Sequence, residues 1–117
     1  MCWLPPWVRL LAGCWRGVGP VAKDMDKFIT DSDSWYHQLS DILAKKQRDY
    51  SPNNILLAPG GPLNGLLVRM NDKMERLKNL HYNTVEPSNE SFDDTLLDLA
   101  NYCVIALMVR NGEWPTE

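Results

Sequence analysis

The chain has 117 residues, of which 44% are hydrophobic and 23% charged, and its formal net charge is −3 at pH 7. This length and composition predict a single globular domain with a modest core. A charge this small and negative argues against non-specific binding to nucleic acid, so we expect no direct nucleic-acid partner.

The first 24 residues differ in composition from the rest. They hold three of the five tryptophans, two of the three cysteines and three of the eight prolines. Two prolines and an arginine break their apolar run, which therefore predicts neither a membrane span nor a signal peptide. We interpret residues 1–24 as a leader that is disordered or reflects a start codon assigned too far upstream. A membrane- or partner-binding tail is the alternative, and residues 25–117 are the predicted all-α domain.

The first predicted helix covers residues 33–48. The segment 31–34, Asp-Ser-Asp-Ser, is a helix start signal. Apolar residues then recur at helical spacing, at Trp35, Leu39, Ile42 and Leu43. Segment 50–62 is rich in proline and glycine, and it is predicted to be a loop.

The second predicted helix covers residues 64–80 and carries two stripes. Its apolar seam is predicted to consist of Leu67, Met70, Met74 and Leu77. The basic stripe beside this seam consists of Arg69, Lys73 and Arg76.

The third predicted helix covers residues 90–110 and ends at Asn111 and Gly112. It is apolar on most sides, yet four polar residues form one stripe along it: Glu90, Asp94, Asp98 and Asn101. A helix of this kind is normally buried, so we expect a homodimer in which helices of both chains complete the bundle. No strand pattern occurs, and the predicted fold is an all-α bundle of three main helices.

Within the predicted domain the third helix also carries the one cysteine, Cys103. We expect a buried thiol, because this helix is apolar. A single thiol predicts no disulfide, and no cysteine and histidine stand at zinc-binding spacing. A domain without disulfides is typical of the cytoplasm, which is the expected compartment, and we expect no membrane association.

Two pairs of acidic residues indicate a candidate metal-binding and catalytic site. Each pair is spaced by about one helical turn, and the four residues are Asp72, Glu75, Asp94 and Asp98. On neighbouring helices such pairs can form an oxygen-rich cage, and hard oxygen ligands select Mg²⁺ or Mn²⁺. We predict all four as metal ligands, with Asp98 and Glu75 as catalytic carboxylates and the basic stripe as the phosphate-binding group.

Structural roles are the alternative for the same carboxylates. Asp94 can complete a capping box with Ser91 at the start of the helix. Asp98 can pair with Arg69 or Arg76 across the helix interface, and the acidic pair of the second helix can be solvated at the surface.

The basic end of the first helix leads into a loop that is rich in tyrosine and asparagine. Such a segment can hold a nucleobase by stacking and amide hydrogen bonds. The predicted pocket residues are Lys46, Tyr50, Asn53, Asn54 and Asn101. The alternative is a charged helix end followed by an ordinary loop.

Three segments, residues 46–55, 68–80 and 89–102, together resemble a family of small phage and bacterial proteins, nucleotide modification associated domain 1. The resemblance implies an all-α protein of nucleotide metabolism in a bacterial or phage-infected cell. The acidic pairs are more distantly similar to the motifs of all-α nucleoside triphosphate pyrophosphatases, including MazG and dimeric dUTPases. Here Asp72 replaces a glutamate, and the second pair is spaced by four residues rather than three.

The distant resemblance implies Mg²⁺-dependent hydrolysis of a nucleoside triphosphate to the monophosphate and pyrophosphate. Two other functions stay open. One is a non-catalytic protein that binds a nucleotide or nucleotide signal, and the other is an interaction subunit of a nucleotide-modifying enzyme.

Overall fold

The computed structural model describes residues 19–116, with side chains from residue 24 onward. These described residues form four helices, α1 (Gly19–Tyr50), α2 (Asn53–Leu56), α3 (Pro62–Tyr82) and α4 (Phe92–Arg110). All regular structure within the described residues is helical, and three of the helices are long. The predicted all-α fold with three main helices is therefore confirmed, whereas its completion by a second copy stays a prediction.

The chain divides into two compact units, residues 1–38 and residues 39–117. The described part of the first unit is the beginning of α1. Most of the predicted leader, residues 1–18, lies outside the described residues, and residues 19–24 belong to α1. The predicted domain boundary at residue 25 stays a prediction.

The predicted start of the first helix near residue 33 is wrong, because α1 already begins at Gly19. Polar side chains in the segment bond within the helix and do not cap it. Asp31 Oδ2 lies 2.5 Å from Lys27 Nζ, and the Ser32 hydroxyl donates to the Ile29 carbonyl oxygen at 3.0 Å. Serine, threonine and aspartate bond locally inside helices as well as at their ends, so the start signal was ambiguous.

The predicted loop 50–62 contains the short helix α2. Pro52 precedes it, and the Pro52 carbonyl oxygen accepts hydrogen bonds from the amides of Ile55 and Leu56 at 3.2 and 3.1 Å. Proline is compatible with the first turn of a helix, where its missing N–H is not needed. Burial of Ile55 in the core stabilises this turn, which local sequence alone did not indicate.

Helices α3 and α4 pack against each other. Two contacts between them, Lys73 with Asp98 and Arg76 with Thr95, advance in opposite directions along the two helices, which are therefore antiparallel. The main core cluster consists of Ile55, Leu66, Ile105 and Trp114. Its members come from α2, α3, α4 and the segment after α4, so the core joins all parts of the second unit that follow α1.

The predicted apolar seam of α3 is only half right. Leu77 is buried and Met70 packs on the core, but Leu67 and Met74 are exposed. The buried face of α3 instead includes Leu66 and Leu80. Where apolar residues are adjacent in a helix, periodicity cannot tell which one faces the neighbouring helix.

Helix α4 ends where the sequence predicts. Asn111 and Gly112 follow it, Gly112 has a φ of +69°, and the Glu113 amide donates to the Met108 carbonyl oxygen at 2.8 Å. A left-handed glycine here turns the chain and satisfies terminal carbonyl groups. The turn brings Trp114 back onto the core.

The sequence predicts that α4 is covered with the help of a second copy, and this stays a prediction; within this chain, part of its apolar surface is exposed. Leu107 is 62% exposed, and Cys103 is an exposed free thiol, not the predicted buried one. The helix that contacts α4 most extensively within the second unit is α3, and the side of α4 that carries Cys103 and Leu107 stays exposed. Among the described helices, none combines the length and the apolar character that a membrane span requires.

Candidate functional site

A chain of ion pairs connects α1, α3 and the start of α4. Lys46 Nζ lies 2.5 Å from Asp98 Oδ1, and Lys73 Nζ lies 2.9 Å from Asp98 Oδ2. Lys73 also contacts both carboxylate oxygens of Glu90 at 2.9 Å. The sequence-based alternative of a structural ion pair for Asp98 is therefore found, but its partners are two lysines and not the predicted arginines.

The ion pairs change the acidity of two groups. Burial by itself would raise the pKa of Asp98, but hydrogen bonds from Lys46 and Lys73 outweigh this effect and hold that pKa below its usual value. Burial likewise opposes the charge of Lys73, yet hydrogen bonds to Glu90 and Asp98 hold the pKa of Lys73 above its usual value. Both groups are charged at neutral pH.

The lowered pKa of Asp98 predicts a loss of stability in acid. A carboxylate whose pKa is lower in the folded state contributes stability above its unfolded-state pKa of about 4, and this contribution disappears as the pH falls through the folded-state pKa. The difference in free energy of unfolding between wild type and Asp98→Asn is therefore expected to shrink below about pH 4. Urea unfolding of both proteins across the acid range measures it.

The exposed acid Glu86 offers a control for this measurement. Glu86→Gln removes the same charge from the linker between α3 and α4, so it corrects for the general effect of net charge. A wild-type-to-Asp98→Asn difference that stays constant down to pH 2.5 would contradict the assignment of Asp98 as a stabilising carboxylate.

Arg76 holds the segment that leads into α4. Its Nε donates to the Thr95 hydroxyl oxygen at 3.2 Å, and its guanidinium also donates to the Glu90 backbone carbonyl oxygen. Thr95 is fully buried and donates its own hydroxyl to the Ser91 carbonyl oxygen at 2.9 Å. Arg76 is thus engaged with α4 and the residues before it.

A cleft of about 350 Å³ lies beside the ion pairs, and we call it the central cleft. Its polar lining includes two cations, a carboxylate and three amides, and its apolar lining includes three aromatic rings. The lining residues are Leu43, Lys46, Gln47, Tyr50, Asn54, Ile55, Arg69, Asp98, Asn101, Tyr102, Ile105 and Trp114. All of them belong to the second unit.

Local structure explains how α1 and α3 present the two cations. Lys46 lies in the last two turns of α1, and Arg69 lies in the second turn of α3. Arg69 donates from its guanidinium to the Asn54 carbonyl oxygen at 3.1 Å, which ties α3 to α2. Asn101 is buried and donates its amide to the Leu39 carbonyl oxygen at 3.1 Å, which ties α4 to α1.

The structure brings six of the predicted site residues together in the central cleft. They are Lys46, Tyr50, Asn54, Arg69, Asp98 and Asn101. Asn53 lies instead in a neighbouring pocket that it forms with Asn64, Val68 and others, which we call the side pocket. Lys73 and Arg76 do not line the central cleft, because their side chains bind α4 and the segment before it.

The four predicted metal ligands are not gathered. Asp72 is exposed, and Glu75 pairs with Lys78 on the surface of α3 at 2.8 Å. Asp94 is exposed in the first turn of α4, where its backbone amide donates to the Ser91 hydroxyl oxygen at 3.0 Å. Ser91 therefore caps the N-terminus of α4, as the structural alternative for Asp94 requires.

Of this predicted set, Asp98 alone lines the central cleft, and both of its oxygens bind lysines. Among the described residues, no three His, Cys, Asp or Glu side chains are grouped as metal ligation requires. The donor set in this arrangement does not fit a Mg²⁺ or Mn²⁺ cage, and the predicted metal stays a prediction.

Sequence reasoning missed two aromatic residues of the central cleft, Tyr102 and Trp114. Tyr102 stands directly after Asn101, but it was hidden in an apolar run. Trp114 lies beyond the predicted end of the third helix, yet it is only 7% exposed and donates its indole N–H to the Pro52 carbonyl oxygen at 3.3 Å. A large aromatic residue two positions after the helix-ending Gly112 was the available signal.

The fold and the site define a small all-α protein with a charged, aromatic cleft formed by its helices. Residues 63–109 match the sequence model of the family nucleotide modification associated domain 1, which confirms the resemblance drawn from the sequence. The matched segment contains α3 and nearly all of α4, including Arg69, Lys73 and Asp98. No curated protein and no solved structure matches the chain. The name of that family refers to an association with nucleotide modification.

Proposed function

We propose that the protein binds a nucleotide in the central cleft. The observation that carries this proposal is the grouping of Lys46, Arg69 and three aromatic rings around one cleft. Its volume of about 350 Å³ lies within the range of about 300–1,000 Å³ that is usual for small-molecule sites. The family match, with its association with nucleotide modification, supports the same class of ligand.

The two cations are assigned to the phosphates. Lys46 supplies an ammonium group that pairs with Asp98 and whose side chain is 50% exposed, so it is accessible to a ligand. Arg69 supplies a planar guanidinium, which binds phosphate oxygens in a bidentate manner. The charged residues of the cleft lining are Lys46, Arg69 and Asp98, two positive charges against one negative charge, so the lining has a formal surplus of one positive charge, which favours an anion.

The aromatic and amide groups are assigned to the base. Tyr50 is exposed at the end of α1, and Tyr102 faces the same cleft from α4. Stacking on such rings contributes about 1–3 kcal/mol per base. The side chains of Asn54 and Asn101 offer amide groups at the same cleft for hydrogen bonds to a base edge.

Removing either cation is expected to weaken binding of a nucleoside triphosphate by about tenfold or more, because each supplies a charge-assisted hydrogen bond. The variants are Lys46→Ala and Arg69→Ala, and isothermal titration calorimetry measures the affinity. Lys45→Ala is the matched control, since Lys45 is an exposed neighbour that does not line the cleft. Equal affinities in all three variants would contradict the assignment of the central cleft.

To identify the ligand, we propose to measure the thermal stability of the full chain with each of a panel of nucleoside mono-, di- and triphosphates. Each nucleotide is tested with and without Mg²⁺. Stabilisation by an unchanged nucleotide supports the binding protein. A chain that responds to no nucleotide would contradict the proposal and favour an interaction subunit of a nucleotide-modifying enzyme.

Hydrolysis of a nucleoside triphosphate to the monophosphate and pyrophosphate is the second candidate function. Asp98 favours it, because a carboxylate lines the cleft beside the two phosphate-binding cations. The other predicted catalytic carboxylate, Glu75, lies outside the cleft. Chromatography of the panel samples tests this candidate, and release of pyrophosphate is the result that would establish it.

A further inference from the structure

The central cleft does not end at Arg69. The side pocket adjoins it, has a volume of about 570 Å³, and shares two lining residues with it, Arg69 and Asn54. The hydrogen bond between the Arg69 guanidinium and the Asn54 carbonyl oxygen lies where the two spaces meet. Arg69 thus lines two neighbouring pockets.

The side pocket has a chemistry of its own. One group of lining residues is apolar and consists of Leu57, Ala58, Pro59 and Val68. The other carries side-chain amides and consists of Asn53, Asn54 and Asn64. Leu57 and Val68 are more than half exposed, so they present apolar surface that a ligand would bury. Apolar walls with a few amide groups suit a planar heterocycle or a nucleoside.

Contacts between α3 and the loop before it form the wall of the side pocket. The Asn64 amide donates to the Pro59 carbonyl oxygen at 3.1 Å, which holds the turn against α3. A Cβ atom at Gly65 would lie 2.5 Å from the Ala58 Cβ, so glycine allows the loop to approach the helix this closely. The pocket wall is therefore built by specific local contacts.

We infer that the two pockets together accept one ligand of the dinucleotide class, with its phosphates at Arg69, one nucleoside in the central cleft and the other in the side pocket. This inference rests on the proposed function and extends it to the substrate class. A ligand with two planar groups joined through phosphates matches the order of the lining: aromatic rings with Lys46, then Arg69, then the apolar and amide walls.

The test compares diadenosine tetraphosphate and diguanosine tetraphosphate with adenosine and guanosine 5′-tetraphosphates by calorimetry on the full chain. The mononucleotides carry the same number of phosphates, so any gain reports the second nucleoside. We expect the dinucleotide to bind at least about tenfold tighter than the mononucleotide with the same base, a threshold below the roughly 100- to 10,000-fold gain that linking two binding groups can give.

Val68→Trp localises the gain, because a large ring at this exposed position of α3 fills the side pocket. It is expected to remove the advantage of the dinucleotide and to leave the affinity for the mononucleotide unchanged. Leu67→Trp is the matched control, since Leu67 is the exposed neighbour of Val68 and does not line the pocket.

The outcomes separate this inference from the function on which it rests. Mononucleotide binding without any dinucleotide advantage overturns the inference and leaves the proposed function standing. An advantage that survives in Val68→Trp also overturns it, because the second nucleoside then lies elsewhere. Failure of every nucleotide, including those of the wider panel, to bind overturns both.

Discussion

Asp98→Asn is expected to lower the stability of the protein and to tighten its binding of nucleotides. The Asp98 side chain is only 16% exposed, and it accepts hydrogen bonds from two ammonium groups. Hydrogen bonds to charged groups contribute about 1.5–3 kcal/mol when they are buried. Lys46 is half exposed, and Lys73 keeps Glu90 as a partner. We therefore expect a net loss of about 1–3 kcal/mol in the free energy of unfolding, measured by urea unfolding.

The binding effect has the opposite sign because the same substitution removes the only carboxylate among the residues that line the central cleft. Lys46 is then released from its ion pair and is free to bind phosphate. We expect a nucleoside triphosphate to bind several-fold tighter to Asp98→Asn than to wild type, with Glu86→Gln as the control for a remote loss of one negative charge.

A metal-dependent hydrolase predicts another result for the same variant. If Asp98 holds Mg²⁺, then Asp98→Asn loses the Mg²⁺-dependent part of nucleotide binding and all activity while the protein stays folded. Measuring affinity with and without Mg²⁺ distinguishes the two roles in one experiment. Weaker, Mg²⁺-insensitive binding in the variant would contradict the role proposed here for Asp98.

Trp114→Ala is expected to lower the free energy of unfolding more than the other proposed substitutions. Trp114 is 7% exposed, belongs to the core cluster with Ile55 and Ile105, and donates its indole N–H to the Pro52 carbonyl oxygen. Truncation of a buried tryptophan to alanine typically costs about 3–5 kcal/mol, because a large cavity remains. The free energy of unfolding from urea titration measures the loss.

Trp114 also forms part of the wall of the central cleft, so its loss should disturb the site. Trp114→Phe retains most of the ring and removes the hydrogen bond, for which we expect about 1 kcal/mol. Trp35→Ala is the control at a tryptophan that is 50% exposed. A change below about 1 kcal/mol for Trp114→Ala would show that the segment after α4 does not pack on the core as described.

The sequence predicted features that depend on neighbouring residues. The Ser91 cap, which the sequence indicated as the structural alternative, and the predicted turn at Gly112 are both found, because a cap or a terminal glycine acts within a few residues. The early start of α1 and the short helix α2 were missed. In α1 the polar signal was ambiguous, and in α2 the decisive contribution is the burial of Ile55 against distant residues.

Only part of the candidate site was predicted, because local sequence indicates residue types but not which side chains face the cleft. A basic helix end followed by tyrosine and asparagines indicated the pocket residues, and the structure places most of them in the central cleft. The sequence also showed that α4 carries acids at helical spacing, but not which of them face inward. Asp98 does so, whereas Asp94 lies exposed at the beginning of the helix.

By itself, then, the sequence determined the helical class, the family resemblance and the residue types of the site. Only the tertiary structure decided that Asp98 pairs with Lys46, 52 residues away, and with Lys73. It also decided that Trp114 packs in the core and that Arg69 lines both the central cleft and the side pocket. Helix periodicity and caps depend on residues within about one turn. The choice among several cations for one carboxylate depends on how the helices pack, and no local pattern encodes it.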